Sequence, residues 1–220
     1  ILGKCPYKSP TDMGVNMVGN CITDDEAVRY ASCQEILRRY YAALCDAKQG
    51  KGSEDTVFKL ELLMKKVGIT KEDRRVVAAA LNRAEETGNA AAAMEMPDGT
   101  IVTGKTSDLL GAASALLLNA LKELGGIDSE LHLISPQAID PIQHLKVDHF
   151  GNRNPRLHTD EVLIALSICA ASDPKAEQAM EQLDKLRGCE VHSSVILSAV
   201  DEKTFKRLGV NLTCEPRFRG

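Results

Sequence analysis

Two stretches of the 220-residue chain carry residue types that bind phosphate at suggestive spacing. Gly99-Thr-Ile-Val-Thr-Gly104-Lys105-Thr106 fits the pattern of Gly, four residues, then Gly-Lys-Thr, in which backbone N–H groups cradle phosphate oxygens. The four central residues argue against that use. Thr100, Ile101, Val102 and Thr103 are strong strand formers directly after an Asp98-Gly99 turn, so the expectation is an antiparallel hairpin over Ala91 to Thr103. A weaker form survives: Lys105, Thr106 and Ser107 stand at the start of a long apolar helix and could hold an anion there. The second stretch is the opening segment. It sets Ser9, Thr11, Asp12 and Asn16 among the turn formers Pro10 and Gly14, which predicts an ordered ligand-binding loop.

Acid–base and metal chemistry have thinner support. His192 and Ser193, within Gly188-Cys-Glu-Val-His-Ser-Ser194, are the catalytic candidates: a base and a hydroxyl that a cleft could use. Adjacency in sequence does not make a triad, and Cys189, His192 and Cys214 do not make a zinc site. Residues three apart on a strand point to opposite faces, and a fourth ligand is missing. No bound metal is expected. His132 reads as a core histidine in mid-strand, and His144, His149 and His158 as solvated residues in or beside a polar loop. The seven cysteines are an odd number without a secretion signal and read as free thiols of a reducing compartment.

The elements that would position these residues follow from periodicity and caps. Thr23 and Glu26 form a capping-box pair ahead of a helix running to about Ala47, and two more helices follow, the last capped by Thr70. After the hairpin, a helix from Thr106 or Ser107 to Leu124 has almost no polar face. A short strand is expected at Leu131 to Ile134, and helices after Ser135, Asp140, Thr159 and Asp173. A strand over Cys189 to Leu197, a short helix over Asp201 to Leu208 and a last strand over Val210 to Cys214 close the chain. The fold class is α/β: a mostly helical segment over residues 1–89, then a sheet domain over 90–220 with helices on both faces.

The net charge of −4 gives no basic excess, so sequence-independent nucleic-acid binding is not expected. No apolar run reaches the roughly 20 residues that span a bilayer, so membrane insertion is not expected either. Together these features suit a cytoplasmic protein.

Two resemblances add to this reading. The order of hairpin, helix, strand, helices, strand, helix and strand resembles the cytidine-deaminase-like scaffold. That family's zinc ligands and catalytic Glu would fall on Gly111-Ala112-Ala113-Ser114 and Ser135-Pro136-Gln137-Ala138-Ile139, which offer neither. Zinc deaminase chemistry is therefore excluded at these positions. Tyr7 to Asn16, Asp160 to Ala171, Gly188 to Ser194 and Leu208 to Pro216 resemble a bacterial family catalogued as a domain of unknown function. Its members are about twice as long, which implies that this chain is the C-terminal half. The missing N-terminal domain would be Rossmann-like with a phosphate-loop-like segment, and would be this chain's partner. The expectation that follows is a phosphoryl- or nucleotide-linked enzyme site shared with that domain. A nucleotide with Mg²⁺ would be bound by the full-length protein and no cofactor by this chain alone. The alternative is a non-catalytic oligomerisation module on a metal-free scaffold, and a homo-oligomer is expected in either case.

Overall fold

A computed structural model describes residues 24–218. Two long helices lead: α1, Asp25–Lys48, and α2, Glu54–Val67. The side chain of Asp24 caps α1 by accepting from the Ala27 N–H at 2.8 Å, and the expected cap residue Thr23 lies outside the described residues. Thr70 opens a single 3₁₀ turn, Lys71–Asp73, ahead of α3, Arg75–Thr87. Strands β1, Ala91–Glu95, and β2, Ile101–Lys105, precede α4, Ala112–Gly125, and α5, Pro136–His144. Then come α6, Thr159–Ala170, and α7, Pro174–Met180. Strand β3, Glu190–Ser193, helix α8, Ala199–Arg207, and strand β4, Asn211–Cys214, complete the chain.

The sheet order is β2-β1-β3-β4. β1 runs antiparallel to both neighbours, with Met94 opposite Val102 and Ala93 opposite His192, while β3 and β4 are parallel, with His192 beside Thr213. The fold is thus a mixed α/β sheet with helices on both faces. Period-2 alternation assigns the faces. Ala92, Met94, Val191 and Cys189 join the main core under α4, α6 and Phe205 of α8. Ala93 turns to Val76 and Ala80 of α3, and His192 to Tyr41 of α1. Cys189 and His192 therefore face opposite sides of β3, as strand alternation requires.

The hairpin forms as expected. Met96 N donates to Thr100 O at 2.8 Å and Asp98 Oδ1 accepts from Thr100 N at 2.9 Å, with Gly99 at φ 84°. The Gly-Lys-Thr segment is explained by packing: a Cβ on Gly104 would sit 2.1 Å from Leu116 N, so α4 crosses β2 against bare backbone.

Four expectations need correction. Residues 106–111 are not helical. Ser107 instead makes a closed turn, accepting the Leu110 N–H on Oγ at 3.1 Å, and α4 begins only at Ala112. Leu131 to Ile134 is irregular and His132 is exposed, because no neighbouring strand offers that segment a ladder. Pro136 and Pro141 lie in one helix rather than starting two. The loop after it begins with a π-helical turn, Leu145–His149, which points Lys146 inward until it is 3% exposed.

One buried cation ties the helical layer to the sheet. Arg74, 1% exposed, donates to Thr213 Oγ1, Val191 O and Asn211 O, each at 2.9 Å, and pairs with Glu190. Arg38 of α1 reaches the other oxygen of Glu190 at 2.6 Å. Every part of the fork is engaged, which is the condition for burying a guanidinium.

Gly104→Ala is expected to cost about 3 kcal/mol, since the helix backbone must retreat from the new methyl group. Gly99→Ala, strained only by its positive φ, should cost about 1 kcal/mol. Urea melts of the two variants check the ranking, and equal costs would refute the packing role of Gly104.

Candidate active site at the carboxyl end of the sheet

The carboxyl ends of β2, β3 and β4 and the start of β1 meet at one edge, where ligands of α/β sheets commonly bind. A cavity of about 480 Å³ opens there, bounded by Thr106, the start of α4, the loop carrying Asn154 to His158, and Val195 to Asp201. Three helices, α4, α6 and α8, begin around it.

Asp201 organises two of those helix starts. Its Oδ1 accepts from Thr159 N at 2.9 Å and Thr159 Oγ1 at 3.0 Å, at the first turn of α6. Its Oδ2 accepts from Ser198 Oγ at 2.8 Å and lies 3.1 Å from His158 Nδ1. A carboxylate at a helix N-terminus is favoured by the aligned peptide dipoles. Burial alone would push the Asp201 carboxyl upward. The hydrogen bonds from His158, Thr159 and Ser198 outweigh it and hold the group below the usual Asp value. The same Asp201 contact raises His158 above the ordinary histidine value against the effect of burial. With Nδ1–H given to Asp201, Nε2 is the ring atom left for proton transfer.

The backbone under His158 is held as firmly as its ring. Glu161 Oε2 accepts from His158 N at 2.7 Å and pairs with Lys146 Nζ at 2.7 Å, while Lys146 also donates to Arg156 O at 2.6 Å. The π-helical turn is what brings that lysine inside. Arg156 donates through Nε to Ser107 O at 2.6 Å, which leaves the rest of its guanidinium for the cleft it lines. Gly111, before α4, contributes no capping side chain, so the first N–H groups of that 14-residue helix face the same space. One cationic fork, one uncapped helix start and one acid-paired histidine make a site that can hold an oxyanion and exchange a proton with it.

Of the candidate binding and catalytic residues expected from sequence, Thr106 is, among the described residues, the one that lines this cavity. It is buried, its N–H bound to Ala90 O at 2.8 Å. Lys105 is exposed at the end of β2, and Ser107 closes its turn. His192 and Ser193 are fully buried on β3, away from the cleft. The Nδ1 of His192 is 2.9 Å from Thr213 Oγ1, and burial lowers its pKa despite Glu215. Its Nε2 lies 3.3 Å from Glu215 Oε1, and the hydroxyl of Tyr41 is buried with no hydrogen-bond partner among the described residues. Ser9, Thr11, Asp12 and Asn16 lie outside the described residues. The residues that sequence reasoning missed are Arg156, His158 and Asp201. The one available signal was Thr159 at a helix start directly after a histidine, together with an Asp three residues after Ser198.

Among the described residues no group of three or more His, Cys, Asp or Glu could hold a metal, and Cys33, Cys45, Cys169, Cys189 and Cys214 are free thiols. Among the same residues no helix is long and apolar enough to cross a membrane.

Comparison with known proteins gives a family. The model described as domain of unknown function DUF1846, C-terminal, matches residues 72–220, and its N-terminal counterpart matches residues 1–68. A UPF0371 protein of Corynebacterium urealyticum is 57% identical over 219 residues, covering 99% of this chain and 44% of that protein. One from Streptococcus thermophilus is 55% identical over 219 residues, again with 44% of its length covered. The chain thus spans less than half the length of these relatives. The expected Rossmann-like missing half is not carried by these matches, since residues 1–68 themselves answer to the N-terminal model.

The His158–Asp201 pair has a defined pH signature. His158 contributes stability that is complete below its unfolded value of 6.5 and fades as pH rises through the raised folded value. Asp201 contributes above its unfolded value of 3.8 and loses it as pH falls through the lowered folded value. The pair is therefore strongest between those limits. Asp201→Asn should move the His158 ring titration, read by NMR, down toward or below 6.5. An unchanged titration would break the assignment.

Proposed function

As the chain belongs to the DUF1846 (UPF0371) family, we propose that its part in such a protein is an acid–base site acting on a phosphate-bearing small molecule. The observation that carries the reading is His158, held 3.1 Å from the Asp201 carboxylate, beside Arg156 and the uncapped start of α4 in one cavity. Each part has a separate task. Arg156 matches an oxyanion with its planar fork. The N–H groups at the start of α4 point at the same anion. His158 gives or takes a proton at an oxygen of the ester, while Asp201 fixes its tautomer and stabilises the charged ring.

A phosphoryl- or nucleotide-linked reaction is the reading that this arrangement favours. The open side of the cleft would be completed by the remainder of the longer protein. Any nucleotide with Mg²⁺ held there would be bound jointly, with the metal supplied with the nucleotide. The oligomerisation alternative keeps one observation in its favour: Ile164 and Ile168, one turn apart on α6, are 59% and 67% exposed. The apolar α4, by contrast, is covered by this chain's own core.

Calorimetric titration with inorganic phosphate tests the reading. Saturable binding is expected, weakened by Arg156→Ala by about tenfold or more, the scale of one charge-assisted bidentate contact. His158→Ala should weaken it more at pH 6 than at pH 8, because the charged ring is the favourable partner. Binding that neither substitution changes would contradict the proposal.

A further inference from the structure

Beside the His158 cavity lies a second one of about 750 Å³, and the two share Ala90, Thr106, Arg156, Val195 and Phe218. Shared walls make them two lobes of one cleft, with Arg156 at the waist. Resting on the anion-binding reading of the first lobe, we propose that the ligand is a nucleoside monophosphate. Its phosphate lies between Arg156 and the start of α4, and its nucleoside extends into the second lobe.

The second lobe differs from the first in kind. It is walled by the carboxyl-terminal end of α3 and by the segment after β3, and among the described residues it presents no helix N-terminus and no histidine. Its apolar surface comes from Leu81, Ala84, Val195 and Phe218. Beyond the shared Arg156 at the waist, its charges are one Glu85 and one Arg217, which offset each other. A second phosphate placed there would face the Glu85 carboxylate and the carbonyl end of α3, both unfavourable to an anion. An uncharged body with hydroxyl and amide groups suits the lobe, because Asn89, Glu85 and Ser194 offer acceptors and donors around an apolar floor.

A flat ring is favoured over a sugar alone by Phe218. This side chain is 59% exposed yet borders both lobes, and its backbone is anchored through Arg217 O, which accepts from Ile196 N at 2.8 Å. An exposed aromatic face held at the lip of a cleft is a stacking platform for a base. The combined space also exceeds what a lone phosphate needs and falls in the range of cavities that enclose small organic ligands.

The test compares inorganic phosphate, AMP, UMP, ADP and glucose 6-phosphate by calorimetry on the same protein. AMP or UMP should bind about tenfold tighter than inorganic phosphate, the scale of one stacked base, and ADP no tighter than AMP. Phe218→Ala, and separately Ala84→Trp to fill the second lobe, should remove most of that gain while leaving inorganic phosphate unaffected. Arg156→Ala should weaken all of these ligands. Nucleotides no tighter than phosphate, a gain insensitive to both lobe variants, or glucose 6-phosphate matching AMP would each overturn the nucleoside assignment. In those cases the acid–base reading stands, provided that phosphate still binds through Arg156. Failure of phosphate itself to bind overturns both.

Discussion

A single buried carboxylate sets the geometry of the candidate site. Asp201 accepts four hydrogen bonds from three neighbours, and in doing so joins the start of α6 to the start of α8. Without it, Thr159 N–H would be buried unpaired, the ring of His158 would lose its orientation, and Ser198 would cap α8 without an anchor. A buried anion is tolerable only where donors surround it, and here the donors are the groups that the cleft must hold still. Lys146 and Glu161 repeat the device one layer behind, fixing the backbone of Arg156 and His158 through a partly buried ion pair. The rigidity of the cleft is thus electrostatic, on a scaffold whose own packing is aliphatic.

Arg74 plays the matching part at the far side of the sheet. Its fork binds β3 and β4 to the chain entering α3, so the helical layer and the sheet cannot slide against each other. The cleft uses both layers, with α3 on one wall and α4, α6 and α8 on the other. Holding the layers in register therefore holds the two lobes in register.

The parts of this arrangement that were legible in the sequence are those governed by local rules. The β-branched run after Asp98-Gly99 dictated a hairpin over a phosphate loop, and alternation along β3 separated Cys189 from His192. Helix positions followed from apolar spacing. What was not legible depends on partners distant in sequence. His158 looked like a loop histidine because Asp201 lies 43 residues on, and nothing local singled out Arg74, whose partners on β3 and β4 lie more than a hundred residues away. The π-helical turn that buries Lys146 has no local signature. The start of α4 was misplaced for the opposite reason: Leu109 and Leu110 continue its apolar period, but Ser107 closes a tight turn there and Leu110 pairs with Leu157.

The account's central claim is that an anion sits between Arg156 and the first turn of α4, within reach of His158. The most direct measurement is backbone amide NMR of the labelled protein during a titration with inorganic phosphate. The account predicts saturating shifts, largest at Ala112, Ala113, Ser114, Arg156 and His158. Shifts centred instead on the Asp98 to Gly104 hairpin, or no saturating shifts at all, would contradict it.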